Sequence, residues 1–178
     1  MSLNSIIERL NKNAIAIQLP IGAESSFSGV IDLVTEKAYR FEGDKGINVI
    51  EFDIPENMKE QVAKYRAILI ERAAEANETA TNKYLNGEPL TIPEIKAAIR
   101  QLVVKGDMFP VLCGSALGNM GVQKMLDAVV DYLPSPLDVP AYKAHDLKDP
   151  EKIVEVLAND DEPFAALAFK IATDPFVG

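Results

Sequence analysis

The stretch VLCGSALGNMGV, residues 111–122, decides how this chain is read. An apolar run over residues 108–112 predicts a short strand, which breaks into small residues. Apolar residues then recur at Val122, Met125, Leu126, Val129, Val130 and Leu133. That spacing is the period of an amphipathic helix, and Pro134-Ser135-Pro136 stops it. A strand ending in small residues ahead of a helix is where open α/β sheets bind ligands, beyond the carboxyl ends of their strands. Ser115 and the backbone N–H groups of Ala116 and Leu117 could donate to a carbonyl or a phosphate. The turn has no Lys or Arg, so a base carbonyl suits it better than a phosphate. Gly114 and Gly118 also serve the simpler purpose of letting the chain turn, and the stretch alone does not choose between the two.

Upstream, Thr91-Ile92-Pro93-Glu94 has capping-box spacing. Ile95, Ala98, Ile99, Leu102 and Val103 follow as the buried stripe of a helix that Gly106 ends. Before it, Met58, Val62, Tyr65, Leu69, Ala73 and Ala76 keep helical spacing, predicting one long helix over residues 56–80 with Pro55 at its start. Asn86-Gly87 signals a helix end. Residues 14–19 read as a buried strand, and 29–34, 37–41 and 47–52 as three more strands. The links are short and polar, with Gly43-Asp44-Lys45-Gly46 as a clear turn, so this part predicts an antiparallel meander. Ser5-Ile6-Ile7-Glu8 opens a short first helix that Asn11-Lys12-Asn13 ends. Downstream, residues 137–161 read as a linker with one short paired strand near 153–156. Residues 164–172 read as an apolar strand running to the chain end. Such a strand without a partner is an aggregation hazard, so the expectation is a chain cut from something longer.

The 178 residues are enough for one or two small domains with a real core, and 48% hydrophobic content excludes a disordered chain. No apolar run approaches a membrane span, and the start has no signal-peptide pattern. Cys113 is the lone cysteine, which excludes an intrachain disulfide and a thiolate-rich metal site and fits a reducing cytoplasm. A net charge of −9 argues against direct contact with nucleic acid and suits a basic protein surface as partner.

The run VLCGSALGNMGVQKMLDAVVDYLPSP resembles the last strand and helix of the guanine-nucleotide domain of bacterial elongation factor G. LPIGAESSFSGVIDLV is similar to the lead-in to that factor's inserted subdomain, and DDEPFAALAFKIATDPFVG to the start of its second, β-barrel domain. The likeness covers nearly the whole chain from about Asn4, and the last run is its most specific part. It departs at Met120, where many relatives carry a lysine. The resemblance implies an α/β fold with an α+β insertion: a small, mostly antiparallel sheet with two helices, packed with the last strand and helix of a P-loop-type guanine domain. It divides the chain into residues 1–22 (residual guanine-domain helix and strand) and 23–106 (inserted subdomain). Residues 107–136 are then the last strand and helix of the guanine domain, 137–160 a linker, and 161–178 the beginning of the β-barrel domain.

The resemblance also implies GTP-dependent translocation on the ribosome, with GTP or GDP and magnesium as ligands of the intact factor. In that family Ser115, Ala116 and Leu117 would face the guanine base. A nucleotide hydrolase also needs a Gly-rich loop with Lys-Ser/Thr for the phosphates and magnesium. No Gly-Lys pair and no Asp-x-x-Gly occurs in this sequence. The nearest approach to Asn-Lys-x-Asp is Asn11-Lys12-Asn13-Ala14, which lacks the carboxylate and reads as a helix exit. The expectation is a chain that by itself neither binds GTP usefully nor hydrolyses it, with no catalytic residue, metal or cofactor. The remaining candidate is an acidic face. On one ideal helix, Glu71, Glu75 and Glu78 lie within about 60° of each other. Such a face is either plain solvated surface or a contact. The resemblance implies contact with the flexible stalk protein of the large ribosomal subunit, weak and salt-sensitive. Related release-factor or ribosome-protection GTPases share this architecture. A stand-alone acidic interaction module would instead predict a finished domain at the C-terminus. Asp127 and Asp131 read as water-facing, Asp160-Asp161-Glu162 as linker, and Cys113 as a small core residue remote from His145. The turn around Ser115 is expected to be mobile.

Overall fold

The computed structural model describes residues 2–10 and 13–173, and the chain divides into two compact units between Pro134 and Ser135. In the first unit, α1 (Ser2–Arg9) leads to β1 (Ala14–Ala16), β2 (Gln18–Ile21), β3 (Gly29–Asp32), β4 (Lys37–Glu42) and β5 (Asn48–Phe52). A 3-10 turn (Glu56–Met58) precedes α2 (Lys59–Ala74), α3 (Glu78–Leu85) and α4 (Ile92–Lys105). Strand β6 (Phe109–Val111) and helix α5 (Val122–Tyr132) complete it. The second unit holds β7 (Tyr142–His145) and β8 (Ile153–Val156). The fold is mixed α/β, with a small antiparallel sheet and five helices among the described residues. No described helix is long and apolar enough to cross a membrane.

The run predicted as one strand over 14–19 serves two sheets. Residues Ala14, Ile15 and Ala16 pair in parallel with Phe109, Pro110 and Val111. The chain then bends at Ile17, whose N–H donates to the Val111 carbonyl at 3.0 Å while its own carbonyl accepts from Leu33 N–H at 3.0 Å. From Gln18 on, the strand joins the antiparallel meander β2-β3-β4-β5, with Leu19 opposite Ile31, Ile31 opposite Ala38 and Ala38 opposite Phe52. The meander is as the alternating pattern predicts, extended by β2. Pro20 does not stop β2, because β2 is an edge strand with only β3 beside it.

The single helix expected over 56–80 is broken. Helix α2 ends at Ala74, and α3 begins at Glu78 after an extended Asn77. The cause is local: Asn77 accepts the Ala80 N–H at 3.0 Å as an N-cap, and its Nδ2 donates to Gln101 Oε1 at 3.0 Å. Thr81 Oγ1 donates to the Ala74 carbonyl at 2.7 Å, satisfying the end of the preceding helix. The apolar face survives the break, with Val62, Leu69, Ala73 and Ala76 buried. It packs on α4, whose Thr91–Glu94 capping box forms as the sequence indicates and whose Ile95, Ala98, Ile99 and Leu102 are buried. Ile31, Leu33 and Met108 complete this core. Burial of each such aliphatic side chain contributes roughly 1.5–3 kcal/mol.

Two expectations about apolar stripes do not hold. The period predicts Met125, Leu126, Val129, Val130 and Leu133 as the buried face of α5, yet all are exposed, and Ala128 and Tyr132 are the buried residues of that helix. Helix α4 packs against α5 and covers its narrower side, where Ala128 and Tyr132 lie. Residues 164–172 form no strand: Phe164, Leu167, Phe169 and Ile171 stand exposed with no regular structure. A strand needs a neighbour for its backbone groups, and no described strand runs beside this segment. The short strand expected near 153–156 is β8, and it pairs antiparallel with β7.

Candidate functional site

The turn at residues 114–121 is built from its own backbone. Ser115 N–H donates to the Met120 carbonyl at 2.8 Å and Met120 N–H returns the bond to Ser115 at 3.0 Å, an isolated antiparallel bridge. Asn119 takes a positive φ of 50° and its N–H donates to the Ala116 carbonyl at 3.1 Å. Gly118 N–H donates to Ser115 Oγ at 3.3 Å. Gly114 allows this closure, since a Cβ there would lie 2.7 Å from the Met120 carbonyl oxygen. Two further bonds anchor the turn to the loop between β4 and β5: Asn119 Nδ2 to the Lys45 carbonyl at 2.8 Å, and Gln123 Nε2 to the Gly46 carbonyl at 3.0 Å. The turn expected to be mobile is therefore tied to itself and to the meander by hydrogen bonds, and Asn119 and Gln123, which carry no motif signal in the sequence, do the anchoring.

Of the three residues expected to face a base, Ser115 is half-buried while Ala116 and Leu117 are exposed. The Ser115 N–H and Oγ are engaged in the turn, whereas the Ala116 and Leu117 N–H groups meet no acceptor among the described residues. They are the available donors. A cavity of about 210 Å³ opens beside the turn, with Cys113, Ser115, Ala116, Met120 and Met125 among its lining residues. Leu117 does not line it. The wall is mostly apolar and sulfur-bearing and carries no charged side chain, which suits a flat, neutral ring better than a phosphate. Cys113 is half-buried and burial pushes its thiol up to about 12, so it is not a nucleophile at neutral pH. His145 belongs to the second unit, where its Nδ1 contacts the Pro150 carbonyl at 2.6 Å.

The acidic residues do not lie on one helix. Glu71 is on α2, Glu75 is its C-cap residue and Glu78 opens α3. All three are exposed. Glu75 is already paired: its carboxylate meets the Arg72 guanidinium, which also donates to the Asp107 carbonyl at 2.7 Å. Glu71 and Glu78 form no ion pair among the described residues. Asp127 and Asp131 are not simply water-facing either: Lys124 meets Asp127 at 3.2 Å and Lys96 on α4 meets Asp131 at 2.7 Å. Of the Asn11-Lys12-Asn13-Ala14 stretch, Asn11 and Lys12 lie outside the described residues, and Ala14 begins β1. Asp160 to Glu162 form a turn around Asn159, whose side chain accepts from Asp161 N–H at 3.1 Å. Among the described residues no group of three or more His, Cys, Asp or Glu could hold a metal ion.

No protein-family model matches the chain. Its fold is similar to that of a Thermus thermophilus protein, known from the crystal structure of ttk003000868, with a TM-score of 0.67 and 29% sequence identity. The match covers 78% of this chain and 21% of that one, so this chain corresponds to about a fifth of the larger protein.

Proposed function

We propose that the chain is part of a ribosomal translocase GTPase of the elongation factor G type, which acts in GTP-dependent translocation during protein synthesis in the cytoplasm. The observation that carries this reading is topological. Strand β1 pairs in parallel with β6, the glycine-framed turn and α5 follow β6, and the antiparallel meander with α2, α3 and α4 lies between the two parallel strands. An isolated parallel pair is an incomplete structure, because parallel sheets are normally buried on both faces. The pair, the turn and α5 fit the tail of a P-loop-type guanine domain, and residues 23–106 fit a subdomain inserted in it. The likeness to a much longer protein supports the same reading.

In this reading the free N–H groups of Ala116 and Leu117 donate to the guanine carbonyl, and the apolar cavity beside them takes one face of the ring. Groups for the phosphates and magnesium are not in this sequence, which has neither a Gly-Lys pair nor an Asp-x-x-Gly turn. The chain alone is therefore expected to bind a fluorescent GTP analogue no better than a control protein. What it retains is a recruiting surface: the exposed carboxylates of Glu71 and Glu78, with Glu75 shared with Arg72. These suit the basic partner surface expected of the ribosomal stalk protein, and charge complementarity of this kind acts mainly on association rate. The test is an NMR titration of the labelled chain with the C-terminal domain of the stalk protein at low and moderate salt. The expected result is shifts around Glu71 and Glu78 that fade with salt. No shift at low salt and high concentration would remove the recruiting role.

A further inference from the structure

A polar cavity of about 100 Å³ lies in the first unit between the meander and helices α4 and α5, separate from the turn. Its wall carries more negative than positive charge. Lys124 Nζ meets Asp127 at 3.2 Å and sits 4.2 Å from the Tyr39 ring centroid, and Lys96 Nζ meets Asp131 at 2.7 Å. Both ammonium groups are thus already matched with a carboxylate. Asp32, on the same wall, has no ammonium partner among the described residues: one of its oxygens accepts the Val34 and Thr35 N–H groups at 2.7 and 3.2 Å. A part-buried carboxylate with no opposite charge is costly.

Two hydroxyls on that wall are also unspent. Thr35 Oγ1 is buried and without a hydrogen-bond partner. Tyr132 is only 5% exposed, and its hydroxyl makes no hydrogen bond among the described residues. Burial, with Asp32 and Asp131 next in weight, pushes the Tyr132 phenol well above its ordinary range, so the hydroxyl keeps its proton. An unpaired carboxylate and two lone-pair-bearing hydroxyls in one small cavity are complementary to a cation. The carboxylate-rich shell that calcium or magnesium takes is not present among the described residues. The volume corresponds to roughly three waters, which accommodates a singly charged ion that keeps part of its hydration.

We propose that this cavity binds a monovalent cation of potassium or ammonium size, held by the Asp32 carboxylate and the hydroxyl oxygens of Thr35 and Tyr132. The ion would tie the β3 turn to the end of α5, joining the meander to the parallel-strand layer. The test is thermal unfolding of the whole chain in potassium, ammonium and N-methylglucamine chlorides at equal ionic strength. A ligand that binds the folded state raises the midpoint with concentration. The expected result is a saturable rise of about 2–5 °C in potassium or ammonium over N-methylglucamine. Asp32→Asn keeps the acceptor for the Val34 and Thr35 N–H groups and is expected to abolish that rise, and Thr35→Val to weaken it. Crystals of the unaltered chain soaked in thallium(I), a potassium surrogate with strong anomalous scattering, give a second readout independent of the variants. A thallium peak in the cavity supports the site. Equal midpoints in all three salts, or thallium only elsewhere on the chain, overturns it.

Discussion

At the scale of single residues, Gly114 and Glu94 show how tightly local geometry is set. Gly114 sits where the backbone of the turn closes on itself, with the Met120 carbonyl oxygen 2.7 Å from where a Cβ would be. That neighbour is backbone and cannot swing aside. Gly114→Ala is expected to open the Ser115–Met120 bridge and to cost about 1–3 kcal/mol, as overpacking does. Hydrogen exchange would read it directly as lost protection of the Ser115 and Met120 amides. Glu94 gives a prediction of the opposite kind, in pH. Its carboxylate is held down to about 2 from an ordinary 4.5, first by the Lys83 ammonium and then by the Thr91 N–H and hydroxyl. A group whose pKa is depressed by folding stabilises fully above its unfolded value, and that contribution is lost as the pH falls through the folded value. Glu94 should therefore steepen the loss of stability between about pH 4.5 and 2. Glu94→Gln should flatten that limb in urea titrations, while leaving its slope near neutral pH unchanged. The exposure of the group keeps the effect modest.

At the scale of elements, the sequence is most legible where apolar period and end signals agree. Helix α4 carries a capping box at Thr91, a buried stripe and Gly106 with φ of 79°, and its bounds fall where those signals lie. The meander is legible for the same reason, through short runs with turn residues between them. The single helix predicted over 56–80 fails because the apolar face continues across the break: Ala73 and Ala76 are both buried, so periodicity does not register Asn77. The signal that marks the break is Asn77 followed by Glu78 and Thr79, an N-cap within a periodic run. Asn77→Ala is expected to cost about 1 kcal/mol, seen as a lower urea midpoint with unchanged slope. The break also reorders the acidic site. Since the Glu75 carboxylate is already engaged by Arg72, charge removal at Glu71 or Glu78, whose carboxylates form no ion pair among the described residues, is expected to weaken the proposed stalk-protein contact more than charge removal at Glu75. Equal losses at all three positions in the NMR titration would mean that net charge alone is sensed.

At the scale of the whole molecule, the strand–turn–helix geometry is readable from Val111 to Val122, whereas the surroundings of that segment are not. The stripe on α5 has the period of a buried face, and period reports only that a face is apolar, not that something covers it. Val130 and Leu133 are 79% and 49% exposed. The apolar residues of 164–172 pose the same problem, because a strand pattern cannot form a strand without a neighbour. The core itself is more decisive. Among the described residues, every member of the buried cluster lies at or before Tyr132, within the first unit, and the second unit contributes none. The hairpin β7–β8 is two-stranded, and such hairpins are marginal alone. Cooperative unfolding should therefore be a property of residues up to Pro134. A chain ending at Pro134 is expected to keep its thermal midpoint within about 2 °C of the longer chain's, because no described residue after Pro134 is buried. Calorimetry of the two should give the same unfolding enthalpy within error. A fall of several degrees would mean that segments after Ser135 hold the first unit together, and that its stability is not set by the cluster around Ile31, Leu69 and Ile99.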